Sequence, residues 1–339
     1  MKKGAHAPTA PDCAVPAPPT KLAAMLSFAL RRLAILLATL AFASLIVFAA
    51  LEVLPGNAAQ TMLGASATPE AVVALAHKLG LDRPFAARYL AWIGGALSGD
   101  LGASYAYNSP IAPLIAERLA VTLPLTLIAM AIAAVIALAA GVYAAERRGK
   151  PGDALVMGLS QFGLAIPNFW FGVMLVLLFA VHWRLFPSGG FPGWSDPRKA
   201  LMALALPALA LGLVQAAILT RVTRSALIEA LGEDFMRTAR AKGLSRRAAL
   251  WRHALPNAAP PILTIAGLQF SSLIAGAVVV ENVFVLPGLG RLIAQSIANR
   301  DVLVVEDCVM GLAGFVILVN AGVDLAAAAI DPRLRAGAA

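Results

Sequence analysis

The chain has 339 residues, of which 60% are hydrophobic and 13% charged, and its mean hydropathy is +0.80. A soluble globular chain runs nearer ~50% apolar and ~25% charged, and a disordered chain needs low hydrophobicity with dense charge, so both classes are excluded for most of the length. Two cysteines in so long a chain exclude a disulfide scaffold. The balance of 27 Lys+Arg against 18 Asp+Glu, net +9, leaves two readings: a nucleic-acid binder, or a membrane protein with basic loops on one face.

Residues 1–20 are rich in Ala and Pro and lack apolar periodicity. The sequence predicts a disordered tail there, drawn to 1–27, with a first transmembrane helix over 28–51. Its uncharged run, 33–51, follows Arg31 and Arg32 and is long enough to cross ~30 Å of hydrocarbon. The two arginines favour a cytoplasmic N-terminus and an uncleaved anchor. Further uncharged runs are 119–145, 154–181, 200–220 and 254–280. The fifth contains Pro256, Pro260 and Pro261, so its spanning part is expected to start near Ile262. The sixth, 308–330, is broken only by Asp324, expected to pair with a basic residue near the cytoplasmic end. Six spans put both termini on one side.

The loops then alternate. Residues 1–32, 143–153, 221–260 and 331–339 hold 18 Lys/Arg, and 52–118, 182–199 and 281–307 hold nine. The positive-inside rule makes the first set cytoplasmic. The basic excess is therefore mostly topology, and the nucleic-acid reading loses its support. Cys13 and Cys308 have no metal-ligand spacing.

Two loops are too elaborate to be simple connectors. The first, a periplasmic region over 52–114, contains Thr68-Pro69-Glu70 followed by Ala71, Val72, Leu75 and Leu79. Pro and Glu in a first turn with apolar residues at 3–4 spacing predict a short amphipathic helix, ended by Gly80. The second is a cytoplasmic elbow over 229–257. Gly232 stops the fourth span, and Glu233 and Asp234 place negative charge at a new helix start. Phe235, Met236 and Ala239 give that helix an apolar stripe, and Gly243 ends it. Ser245 can cap a second short helix that stops before Leu255-Pro256. A helix–glycine–helix unit outside the membrane reads as a docking surface.

Catalytic chemistry is not legible. His6, His77, His182 and His253 lie outside the spans, and no Walker A sequence or nucleophile elbow is present. No catalytic residue, metal site or bound cofactor is expected. The spans do carry Gln161, Asn168, Gln215, Gln269, Ser271, Ser272 and Asn320. Such groups bond neighbouring helices or line a solute path; Gln161, Asn168, Gln215, Gln269 and Ser272 are the path candidates.

The elbow reads Glu233-Asp234-Phe235-Met236-Arg237-Thr238-Ala239-Arg240-Ala241-Lys242-Gly243-Leu244-Ser245, then Arg252-His253-Ala254-Leu255-Pro256-Asn257. It resembles the cytoplasmic "EAA" loop of permeases in bacterial ABC importers, in the form found in the dipeptide/oligopeptide/nickel group. In that register Arg237-Thr238-Ala239 stand for E-A-A, Gly243 is the glycine and Leu255-Pro256 the L-P pair. Leu54-Pro55-Gly56-Asn57, Leu79-Gly80-Leu81-Asp82-Arg83-Pro84 and Gly99-Asp100-Leu101-Gly102 are similar to the same group. So are Glu281, Phe284, Pro287-Gly288-Leu289-Gly290-Arg291 and Asp331-Pro332-Arg333. The long first loop is similar to the B-type member of the permease pair.

The resemblance implies an all-α polytopic membrane protein with six transmembrane helices, the type I ABC importer permease fold, both termini cytoplasmic, a permease core over 115–330 and a short tail over 331–339. It implies a multi-pass protein of the bacterial inner membrane that is not itself an enzyme. The implied partners are a second, C-type permease, two ATP-binding subunits that hold ATP and Mg, a periplasmic solute-binding protein and the lipid bilayer, with no nucleic acid. Glu233, Asp234, Arg237, Ala239, Arg240, Gly243, Leu255 and Pro256 would form the coupling surface. The implied solute is a di- or oligopeptide, with nickel or another small solute as the alternative. A stand-alone ion-coupled transporter wants ionisable residues near midplane, and a membrane enzyme wants a catalytic constellation; neither is found.

Overall fold

The computed structural model describes residues 21–52, 58–64, 67–78, 80 and 82–330. Leu54 to Asn57, Leu79, Leu81, the segment 1–20, the tail 331–339 and the side chain of Asp324 lie outside them. Thirteen helices follow in order: α1 Lys21–Glu52, α2 Ala58–Leu63, α3 Pro69–Lys78, α4 Phe85–Ser98, α5 Ile111–Glu146, α6 Pro151–Ala165, α7 Asn168–Leu175, α8 Pro197–Gly232, α9 Asp234–Ala241, α10 Arg246–Ala249, α11 Leu255–Val283, α12 Leu289–Ala298 and α13 Val302–Ile330. Residues Val176–His182 continue α7 as a π-helix, and Leu250–Ala254 do the same between α10 and α11. α1 starts at Lys21, inside the stretch 1–27 expected to be a tail; Leu22, Ala23, Ala24, Met25 and Leu26 are good helix formers.

The centre of the fold is the pair α5 and α8. Ala129, Ala133, Ala137 and Gly141 recur every fourth residue on α5 and are buried. A Cβ on Gly141 would lie 2.7 Å from Thr223, and one on Gly212 would lie 2.7 Å from the Ala129 carbonyl oxygen. Small residues thus let the two backbones approach, as membrane helix contacts require. Residue 129 meets 212 and 141 meets 223, so α5 and α8 run parallel.

Parallel neighbours force the segment between them to cross back. That segment is α6 and α7, whose axes differ by 100°. The third span is therefore not the single straight helix that the run 154–181 suggests. Ile166 is extended (φ −91°, ψ 123°) and precedes Pro167. The ring of a proline clashes with a helical residue before it, so the helix stops there and restarts in a new direction. The pair still spans. Asp153 at its start binds Arg224 near the end of α8, whereas beyond its far end Gly190 N–H donates to the Phe284 carbonyl after α11.

Counting that pair once gives six crossings: α1, α5, α6–α7, α8, α11 and α13. α11 runs unbroken from Leu255 through Ile262, near which its spanning part was expected to start. Pro256 follows directly on the π-helical turn Leu250–Ala254, which joins α10 to α11. Pro260 and Pro261 lie near the water-facing end, where solvent and side chains can serve the freed carbonyls. α13 begins at Val302 rather than Cys308. The charges that argued for a later start, Glu306 and Asp307, are buried against protein and do not face lipid.

Candidate functional site

The elbow is built from the end of α8 outward. Glu233 is extended (φ −70°, ψ 153°) and turns the chain into α9. It makes no side-chain cap bond; Asp234, in the first turn, supplies the charge that the helix dipole favours. Met236 and Ala239 are buried. Met236 joins Val142, Leu227, Ala230, Leu250 and Ala254 in one apolar cluster, with Leu244 and Leu255 packed against it. Ala239, like Met236 part of the expected apolar stripe, points into the body of the protein. Phe235, Arg237, Thr238, Arg240 and Lys242 face outward.

The stop after α9 is a Schellman turn. Gly243 N–H donates to the Arg240 carbonyl (3.0 Å) and Leu244 N–H to that of Ala239 (3.2 Å). Gly243 has φ +89° with nothing within 4 Å of where a Cβ would sit, so its requirement is conformational rather than steric. Ser245 Oγ accepts from Ala248 N–H at 3.2 Å and starts α10. Arg246 then donates to the Glu146 carbonyl at the end of α5 (3.2 Å). The outer surface is completed by Trp251, Arg252 and Pro256, all exposed.

A buried ion pair stands behind the elbow. Arg224 Nε and Nη2 donate to the two carboxylate oxygens of Asp153 at 2.5 and 2.7 Å. Gly149 N–H adds a third donor at 2.9 Å. The forked pair ties the start of the bent span to the helix that carries the elbow.

The polar residues of the spans do not form one cluster. Gln269 Nε2 donates to Gln215 Oε1 at 2.5 Å, a bond between α11 and α8. Arg221 Nη1 donates to Gln161 Oε1 at 3.3 Å. Asn168 opens α7 directly after the bend and lies against Gly276. Ser272 is exposed. Asn320 donates to Ser271 Oγ at 3.3 Å.

The far end of the molecule holds polar groups that the sequence did not single out as a unit. Glu281 is wholly buried. Its carboxylate accepts from Thr122 Oγ1 (2.6 Å) and from Arg291 N–H (3.2 Å), and Thr122 in turn accepts from Leu289 N–H (2.8 Å). Gly288 has no room for a side chain beside that carboxylate. The Pro287-to-Arg291 segment is thus a loop wrapped around a buried carboxyl group at the start of α12. Asp301 Oδ2 accepts from Ser104 Oγ (2.5 Å) and Ala106 N–H (3.0 Å). Asp307 Oδ1 accepts from Trp92 Nε1 (2.8 Å). Burial, followed by the charges of Asp301 and Glu306, pushes the Tyr105 phenol up to about 12. Only Glu281 and the glycines around it carried a sequence signal; Trp92 and Ser104 reach their partners across about two hundred residues of chain, beyond any local pattern.

Residues 137–336 match the family described as "Binding-protein-dependent transport system inner membrane component", and residues 25–126 match its N-terminal counterpart. The chain is 38% identical over 336 residues to the dipeptide transport system permease protein DppB of Escherichia coli (strain K12), covering 92% of this chain and 99% of that protein. It is 35% identical over 332 residues to DppB of Alkalihalophilus pseudofirmus, covering 92% of this chain and 100% of that one. A solved structure described as inward-facing conformations of the MetNI methionine ABC transporter superposes with a TM-score of 0.53 at 20% identity, over 64% of this chain and 96% of the other. That likeness shows a shared fold. From these matches and the six crossings, the chain belongs to the family of binding-protein-dependent transport system inner membrane components, and it is a multi-pass protein of the bacterial inner membrane.

Proposed function

We propose that this chain is the B-type permease subunit of a peptide importer, and that the elbow is where an ATP-binding subunit docks. The substrate reading rests on identity with dipeptide permeases along nearly the whole chain. The docking reading rests on one observation: α9 is anchored through buried Met236 and Ala239, while Arg237 and Arg240, with Lys242 just after the helix, are exposed. The partners are a second, C-type permease, two ATP-binding subunits and a periplasmic binding protein. Hydrolysis belongs to the ATP-binding subunits, which hold ATP and Mg. Closure of those subunits would push α9, and α8 with the Arg224–Asp153 pair would carry the displacement to the bent span as a rigid-body shift. Asn168 beside the bend, with Gln161, Gln215, Gln269 and Ser272, would border the path.

The test is uptake of a labelled dipeptide by cells whose own permease is replaced with a variant. Gly243→Leu places a side chain at φ +89°, where an L-residue is strained by roughly 1–2 kcal/mol. The variant is expected to reach the membrane at normal levels and to lose uptake. Normal uptake would overturn the docking role of this turn, and no peptide uptake by the unaltered permease would overturn the substrate assignment.

A further inference from the structure

α4 sits in a region that the sequence places outside the membrane, yet its inward side meets α1 well below the top of that helix. Phe85, Tyr89 and Trp92 pack on Phe48 with ring centroids 5.2, 5.5 and 5.6 Å apart. Tyr89 Oη lies 2.8 Å from Ser44 Oγ. Ser44 and Phe48 both belong to the apolar window Leu33–Ala50. Eight residues separate Ser44 from the end of α1 at Glu52, about 12 Å along a helix axis. On the other side, the Trp92–Asp307 bond pins α4 to the first turns of α13.

Most of the rest of α4 is open: Ala86, Leu90 and Leu97 are exposed and Ile93 is half-buried. None of its residues is buried. Ala86, Leu90, Ile93 and Leu97 recur at i, i+4, i+7 and i+11, one continuous stripe. Leu90 is 67% and Leu97 84% exposed. Arg88 is the one charged residue of the helix, and it lies over the Phe48 ring rather than on the stripe. An apolar stripe held at the depth of a spanning helix meets hydrocarbon, and burial there stabilises it.

We propose that α4 is an interfacial helix set into the outer leaflet, with Ala86, Leu90, Ile93 and Leu97 among phospholipid acyl chains. Tyr89 and Trp92 hold it there through protein, by their bonds to Ser44 and Asp307. The first periplasmic region is in this way a membrane-seated collar around α1 and α13 and not a free loop. The inference rests on the six-span topology and is independent of the solute.

The experiment uses the full chain with Cys13→Ala, in vesicles of phosphatidylethanolamine and phosphatidylglycerol; Cys308 is buried and stays unlabelled. A nitroxide is attached at Leu90→Cys, at Leu97→Cys and, as the water-exposed control, at Asp82→Cys. Collision with oxygen, which enriches in hydrocarbon, is compared with collision with a water-soluble nickel chelate. The oxygen-to-nickel ratio should be several-fold higher at 90 and 97 than at 82. A ratio equal to the control overturns the proposal. Exclusion of both probes at 90 and 97 also overturns it, because that is the mark of a protein neighbour. Two exposed label sites guard against one substitution disturbing the helix.

Discussion

At the elbow, Arg237, Arg240 and Lys242 point outward while Met236 and Ala239 hold the helix by apolar contact. At the opposite end, Glu281, Asp301 and Asp307 point inward, nearly without exposure, and each accepts a hydrogen bond from another element. The difference separates two tasks. A surface that must engage and release a partner keeps its charges in water, where they cost little and remain free to pair. A cap that must keep its shape while helices tilt uses buried carboxylates as junctions, because an unsatisfied donor there is expensive. Ionisable side chains are thus exposed at the elbow and buried at the opposite end.

The sharpest way to break this contrast is at Glu281. Glu281→Ala removes the acceptor of Thr122 Oγ1 and of Arg291 N–H. Each orphaned buried donor costs about 1–3 kcal/mol, so a loss on the order of 4 kcal/mol is expected, read as a large fall in the unfolding temperature of the purified protein in detergent. Glu281→Gln, which retains one acceptor oxygen, should lose less. An unchanged unfolding temperature for the alanine variant would remove the rigid-cap half of the comparison.

Arg224→Ala is expected to have the next largest effect. It leaves Asp153, only 6% exposed at its side chain, without its ion partner. Breaking a fully buried pair costs about 3–5 kcal/mol; Arg224 is partly exposed, so roughly 2 kcal/mol is expected here. The double variant Asp153→Ala with Arg224→Ala should be less destabilised than the sum of the single ones. Strict additivity, measured by the same thermal unfolding, would show that the pair does not act as a strut.

Arg237→Ala should do least to stability. Its partner Asp234 is 93% exposed and lies at i−3, a spacing worth about 0.2–0.5 kcal/mol. The unfolding temperature should hold while dipeptide uptake falls. A clear loss of stability would mean that the elbow's charges also carry structure, and the division between the two ends would blur.

Several elements were legible because their causes are local. The α9 stop at Gly243, the start at Asp234 and the end of α8 at Gly232 follow from backbone freedom and helix charge, which act within a turn. α3 follows from Pro69 and Glu70 in the same way. α12 was not named in advance, although Leu289, Leu292, Ile293 and Ser296 show its 3–4 spacing; the proline and glycines before it drew attention to a loop. The sixth run was started at Cys308 instead of Val302 because Glu306 and Asp307 were judged by their cost in lipid, while the fold sets them against protein. Of the expected apolar stripe, Met236 and Ala239 are buried and Phe235 is exposed, because residue type alone does not say which side of a short helix meets the body of the protein.

The sequence by itself determined the number of crossings, their orientation and the outline of the elbow. Hydrophobic run length, the side on which basic residues gather, and glycine or proline at a turn are each read by the solvent or by the adjacent backbone. Tertiary structure alone decided the 100° bend of the third span, the Asp153–Arg224 junction, the carboxylate cap and the packing of α4 on α1. Those depend on which helices lie side by side, and a polar group's cost in a membrane protein is set by the neighbour it meets rather than by its place in the chain.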